Sequence, residues 1–379
     1  MSMIRKFLLP VATAVLVSMT LVSVSQGQAP GTGPTLETPE AKLAQALVCP
    51  VALTSKLNRD PVLLVHGTGS AAAESWSWNY AKALPAAGFA ICTIDLPDNA
   101  AGDIQISAEY VVYAIRKMNS DSGRKVATIG HSQGGIVPQW ALKWWPDLRE
   151  KVSDSISLAA THHGAGGAIA FCDALGCGGS VAQQLPSSRF LAALNRGADA
   201  WGPVDYTSIF SATDEVVFPA AASSTLKGGP GLSVSNVLIQ GICPANKATH
   251  GDAVWDAVYW AVVMDALLRP GPADASRIGP GVCAPGAVPG VDLATAAKQT
   301  ADTFSLPGPR LVAWPKGPEP ALKAYVTGAT AAPGAPRTGQ GVSPVSSGSS
   351  GAASTLFLGG LLAALGIGAA AFVGVRRKR

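Results

Sequence analysis

Between about Leu36 and Val326, short apolar runs alternate with longer stretches of helical periodicity. This is the rhythm of a mostly parallel sheet covered by helices on both faces. Residues 61–66, 89–95, 126–130, 155–160, 207–211 and 237–240 are predicted strands. Residues 75–87, 107–119, 134–145 and 252–268 are predicted helices.

The pattern differs at both ends of the 379 residues. Arg5 and Lys6 precede an apolar run over 7–24 and then small residues, the form of a secretory signal, so residues 1–27 are read as a leader. Residues 28–326 are the expected catalytic domain, and 327–355, rich in Ala, Pro, Gly and Ser, a spacer that cannot bury enough surface to fold. The uncharged stretch 356–375 is long enough to cross a bilayer and stops at Arg376, Arg377, Lys378 and Arg379. It is the predicted transmembrane helix, with 376–379 as a basic cytoplasmic tail. Ala335-Pro336-Arg337-Thr338-Gly339 resembles a cell-wall sorting signal that lacks its leucine.

The ends also account for the net charge of +4. Without the two basic residues of the leader and the four of the tail, 22 basic residues face 24 acidic ones, which excludes a nucleic-acid footprint. Six cysteines in an exported chain predict disulfides, for which sequence alone allows 15 connectivities. No zinc-knuckle spacing or CxxC pair points to metal or redox use.

Gly130-His131-Ser132-Gln133-Gly134 is a GxSxG pentapeptide between a predicted strand and a predicted helix. In that context a sharp turn holds the serine in strained geometry with its hydroxyl above the sheet. The glycines keep Cβ atoms out of the corner, and the helix aims its positive end at an oxyanion formed there. A serine hydroxyl attacks a carbonyl once an imidazole takes its proton, and the imidazole needs a carboxylate to fix its tautomer. The chain order in this fold is Ser, acid, His. His66 and His131 precede Ser132, and His162 and His163 follow the very next strand, which leaves His250 as the base. Asp214, just past the predicted strand 207–211, is the expected acid, with Glu215 beside it as the alternative. The amides of Gln133 and of the glycine-flanked Thr68 are the expected oxyanion donors.

At these residues the chain resembles the Candida antarctica lipase B family. The likeness covers most of the segment from Cys49 to Cys283. It rests on Pro61-Val-Leu-Leu-Val-His-Gly-Thr-Gly69, Ser132-Gln-Gly-Gly-Ile-Val-Pro-Gln-Trp140, Ser211-Ala-Thr-Asp-Glu-Val-Val217 and the Cys243 to His250 segment, in family order. The resemblance implies an α/β-hydrolase fold, Ser132 as nucleophile, Asp214 as acid, His250 as base and an oxyanion hole from Thr68 and Gln133. Through Ser180-Val-Ala-Gln-Gln184 it implies Gln184 in the substrate pocket, together with Thr161 and Val217. It also implies that Cys49 pairs with Cys92 and Cys243 with Cys283, leaving Cys172 to join Cys177. His131 stands where the family has a tryptophan flooring its alcohol-side pocket, and Thr161 where it has an aspartate, so fine specificity does not carry over. The family's C-terminal disulfide is missing.

The expected activity is hydrolysis of lipid-like acyl esters through an acyl-enzyme on Ser132, by a monomer needing no cofactor or metal. It is expected at the extracellular face of the cell membrane, anchored by the C-terminal helix. An acyltransferase or polyesterase acting on envelope lipids or polyesters with the same triad is the alternative that the tether suggests. Residues 164–179, with six glycines around Cys172 and Cys177, are expected to form part of a mobile lid.

Overall fold

The computed structural model describes residues 31–305 and 307–328. The predicted leader, transmembrane helix and basic tail lie outside these residues, as does nearly all of the spacer. No helix among the described residues is long and apolar enough to cross a membrane.

Seven strands form one sheet: β1 (Leu47–Val48), β2 (Val62–Val65), β3 (Ile91–Ile94), β4 (Val126–His131), β5 (Val152–Leu158), β6 (Asp205–Phe210) and β7 (Ser233–Leu238). Their order is β1-β3-β2-β4-β5-β6-β7, with β1 antiparallel to β3 and every other pair parallel. The run Val62–Val65 is wholly buried because helices cover both faces and both sets of alternating side chains meet core. Val62 and Leu64 pack with Trp76, Tyr80 and Tyr259 on one face. Leu63 and Val65 pack with Ile115, Trp140 and Trp145 on the other. β2 has β3 on one side and β4 on the other, so the winding reverses there. Loops leaving the carboxyl ends of β2 and β4 diverge and open a crevice.

Several predicted elements shift for local reasons. The helix expected over 75–87 is two, Ala72–Trp76 and Tyr80–Ala86, because the Asn79 side chain accepts from the Tyr80 N–H and donates to the Ser75 carbonyl. The helix expected from 252 becomes a 3-10 turn, Gly251–Val254, then Ala257–Leu268 capped by Asp256 at the N–H groups of Val258 and Tyr259. β5 starts at Val152 and stops before Ala159, which turns to φ 50°. β7 begins at Ser233 and gives way to a helical turn, Ile239–Ile242, where a strand end was expected.

A third, smaller apolar cluster lies over the crevice: Ala101, Ala165, Ala168, Phe171, Val181, Val217 and Leu311. Its helices Gly166–Leu175, Gly179–Gln183 and Pro307–Ala313 are absent from the sequence reading. Disulfides join Cys49 to Cys92, Cys172 to Cys177 and Cys243 to Cys283.

Candidate active site

β4 ends at His131 and the helix Gln133–Trp144 begins two residues on, so Ser132 makes the turn alone at φ 56°, ψ −127°. Such a conformation costs a non-glycine residue about 1–3 kcal/mol. The surroundings enforce it. A Cβ on Gly134 would lie 2.3 Å from the Val65 carbonyl oxygen, one on Gly130 2.0 Å from the Gly134 oxygen, and one on Gly135 2.5 Å from Ala160 Cβ. The Ser132 N–H is held by the Leu158 carbonyl at 2.9 Å.

His250 Nδ1–H donates to Asp214 Oδ2 at 2.9 Å. The other Asp214 oxygen accepts from the N–H groups of Val216 and Val217, at 2.9 and 2.7 Å. Glu215 accepts from the backbone N–H of His250 at 3.0 Å, so it holds the histidine's main chain and leaves the ring to Asp214. Burial favours the neutral ring of His250, but the charge and hydrogen bond of Asp214, with Glu215 behind it, outweigh this and raise its pKa. His131 donates from Nε2–H to the His250 carbonyl at 3.0 Å, with the two rings 4.7 Å apart. Burial, reinforced by the neighbouring His250, pushes its pKa well down and keeps it neutral.

The other side of the crevice is the turn after β2. The Gly67 carbonyl accepts from His66 Nδ1–H at 2.9 Å and from the Ser70 hydroxyl at 3.0 Å. The Leu96 N–H donates to His66 Nε2 at 2.9 Å, which puts the ring proton on Nδ1, and burial keeps the ring neutral. In a trans peptide C=O and N–H point opposite ways, so the Thr68 N–H is turned away from His66. Gly67 is closely packed against the nucleophile's turn: a Cβ there would sit 3.1 Å from Ser132 Cβ and 3.2 Å from the His131 carbonyl oxygen. The Thr161 hydroxyl donates to Gln184 Oε1 at 3.0 Å, and Gln184 Nε2 donates to Thr68 Oγ1 at 3.0 Å and to the Ser180 carbonyl at 3.1 Å. Thr68 Oγ1 is an acceptor in this chain, which leaves its own proton for another partner. Below it, Asp98, Asn99 and Ala100 run at φ 54°, 53° and 57°. The Ala100 carbonyl accepts from Gln133 Nε2 and the Ser180 hydroxyl.

Ser132, His250, His131, Thr68, Thr161 and Gln184 all line one cavity. Thr68, Ser70, Ser75, Thr161 and Gln184 form its polar arc, and Ala165, Ala168, Phe171, Val181, Val216 and Leu311 its apolar wall. No Asp, Glu, Lys or Arg lies among the described lining residues. Val217, expected in the pocket, is not on the wall. Its N–H serves Asp214 and its side chain is buried in the small cluster, so Val216 is exposed to the cavity instead. His162 is also off the wall: Nδ1–H donates to Gln139 Oε1 at 2.7 Å, Nε2 accepts from the Ser157 hydroxyl at 2.9 Å, and burial pushes its pKa down to about 3. Sequence reasoning missed Ser70, Ser75, Thr303 and Leu311, and also Arg310, which reaches the Gly69 carbonyl at 2.9 Å. Nothing in the residue pattern joins positions 241 apart.

A strained serine and a buried imidazole–carboxylate pair around one cavity, at the carboxyl ends of a mostly parallel sheet, define a serine hydrolase of the α/β-hydrolase class. Comparisons with known proteins narrow the class. A family model described as lipase, class 2, matches residues 59–259. Lipase B of Pseudozyma antarctica is 32% identical over 303 residues, 78% of this chain and 87% of that protein. The crystal structure of Aspergillus fumigatus lipase B superposes with a TM-score of 0.73 at 31% identity, covering 80% of this chain and 75% of the other. The chain belongs to the class 2 lipases, and its activity is that of a lipase/esterase hydrolase.

Proposed function

We propose that the protein hydrolyses neutral, lipid-like acyl esters through an acyl-enzyme on Ser132. His250 takes the serine proton and passes it to the leaving alcohol, while Asp214 fixes the ring with its proton on Nδ1 and steadies the imidazolium. The N–H groups of Thr68 and Gln133, with the Thr68 hydroxyl, receive the oxyanion. Water activated by His250 then releases the acid. The observation that carries the reading is the 2.9 Å bond from His250 Nδ1 to Asp214, beside a serine held at positive φ on the same cavity. The apolar wall and the lack of lining charge support an uncharged acyl ester over an ionised one. The reading is tested with residues 30–326 and p-nitrophenyl esters: hydrolysis is expected, with Ser132→Ala inactive and unlabelled by a fluorophosphonate. Full activity in Ser132→Ala removes it.

The three disulfides suit an oxidising compartment, and the apolar stretch 356–375 with its basic end suits a tether that holds the domain outside the membrane. Fractionation of cells expressing the full chain, with protease added from outside, tests both parts. Protection of the domain from the protease, or its recovery without the membrane fraction, refutes the tethered arrangement.

A further inference from the structure

We propose that Arg310 is a positioning residue for the oxyanion turn, holding Thr68 and Gly69 in the geometry that catalysis needs. The inference rests on the reading of Thr68 as an oxyanion donor. Arg310 Nη1–H donates to the Gly69 carbonyl at 2.9 Å and to Glu74 Oε2 at 2.7 Å, and Nη2–H donates to Glu74 Oε1 at 2.8 Å. A forked guanidinium–carboxylate contact fixes direction as well as distance. Glu74 is itself tied down: its Oε2 accepts from the Ala71 N–H at 2.8 Å and its carbonyl from the Thr303 hydroxyl at 3.2 Å. The Arg310 hydrogen bond outweighs burial and holds the Glu74 pKa down, so the pair stays ionised through neutral pH.

Thr68 is therefore gripped from both sides. On one side the Gly67 carbonyl is held by His66 and Ser70. On the other, the Gly69 N–H is held by the Asn99 carbonyl at 2.7 Å, and the Gly69 carbonyl by Arg310. Gly69, at φ 73°, has the wide range of backbone conformations of a glycine, so it is a point at which the turn can give way when the grip on its carbonyl is lost. A donor that must reorganise as charge develops loses most of its catalytic value. Arg310 lies beyond the 59–259 span that matches the family model, so part of the machinery is supplied by the segment that follows that span.

The test is steady-state kinetics on a soluble short-chain ester, alongside inhibition by an alkyl boronic acid whose tetrahedral adduct with a serine carries the charged oxygen. Arg310→Ala and Glu74→Gln are each expected to lower kcat roughly tenfold, less than the loss from removing a donor outright. Boronate affinity should fall by a similar factor, KM should move by less than about twofold, and the double variant should be no worse than either single one. Arg310→Lys, which keeps the charge and loses the fork, should fall between Arg310→Ala and the unaltered enzyme. If Arg310→Ala does not fold, the lysine variant decides the matter, and an unchanged kcat in it overturns the proposal. A rise in KM for long-chain esters, with kcat and boronate affinity untouched, would mean that Arg310 only seats Leu311 on the cavity wall, and also overturns it. Failure of the parent reading looks different: Thr68→Val, which removes the hydroxyl, would leave kcat and boronate affinity unchanged, and an enzyme without Ser132 as nucleophile would form no boronate adduct at all.

Discussion

In the sheet, β2 and β4 are buried along their whole length, and large side chains such as Trp76, Trp140 and Tyr259 fill the space on either face. The cover over the crevice has Phe171 as its one fully buried ring, with alanines, valines and Leu311 around it, and it leaves Ile169, Phe218 and Val312 exposed. Buried apolar area is the main source of stability. The two regions therefore differ in the apolar area that holds them, and opening the cover is expected to cost less than opening the sheet. The groups proposed for catalysis sit on the stiff side of this divide. Ser132 and Thr68 leave the ends of β4 and β2, while the cover supplies pocket wall.

The largest effects should come from breaking the stiff side. Ser132→Ala should lower kcat by about 10⁴- to 10⁶-fold with an unchanged melting temperature, measured by ester hydrolysis and calorimetry. Asp214→Asn should cost about 10⁴-fold. Asp214 raises the His250 pKa, and the base must be neutral to act, so activity should climb with pH through a midpoint above the ordinary imidazole value. The asparagine variant should move that midpoint down. A pH–rate profile that stays put would detach Asp214 from His250.

Next come the cross-links, compared by chemical denaturation. Replacing Cys49 and Cys92 with serine, a pair 43 residues apart, should cost on the order of 4 kcal/mol. Replacing Cys172 and Cys177, only 5 apart and in the cover, should cost about 2. Equal losses would mean that the two regions unfold as one unit. A smaller contrast is expected between glycines. Gly134→Ala meets the Val65 and His66 carbonyl oxygens and should cost about 3 kcal/mol or prevent folding. Gly176→Ala, at φ 70°, ψ 155° with only the Lys316 side chain near, meets backbone strain without a backbone clash and should cost about 2.

A slope with pH gives a separate comparison, set by the buried histidines of the stiff side rather than by a substitution. His162, His131 and His66 are buried neutral with lowered pKa values, so the unfolded chain takes up more protons than the folded one below pH 6.5. Each should remove about 1.4 kcal/mol of stability per pH unit as pH falls from 6.5 towards its folded value, about 3 for His162. His250, shifted the other way, contributes stability that is lost only as pH rises through its folded pKa. Denaturation midpoints at pH 7, 5.5 and 4.5 measure the slope, and a flat profile would contradict the buried neutral state.

The same divide explains what the sequence revealed. β2, β3 and β4 are short, mainly apolar runs whose period needs no tertiary context, and Ser132, Asp214 and His250 are the residues that chain order proposes once the nucleophile's turn is recognised. β7 was read only at its apolar end because Ser233, Ser235 and Asn236 sit on a partly exposed edge. The helix Gly166–Leu175 carries three of its glycines and alanines in its first turn, which hid it among loop residues, and the Pro307–Ala313 helix has proline at its first and third positions. Val217 was misplaced because a one-residue step in an irregular turn decides which of two valines faces the cavity. Arg310 was invisible for a different reason: its partners, Gly69 and Glu74, are brought to it only when the chain has folded back across the crevice.

The described cavity wall, which carries no Asp, Glu, Lys or Arg, also bears on how a catalytic cycle ends. An acid product that ionises there meets none of these among the described lining residues and only the imidazoles of His131 and His250, and its carboxylate is better solvated in water, which favours its expulsion. Below the acid's own pKa that expulsion disappears.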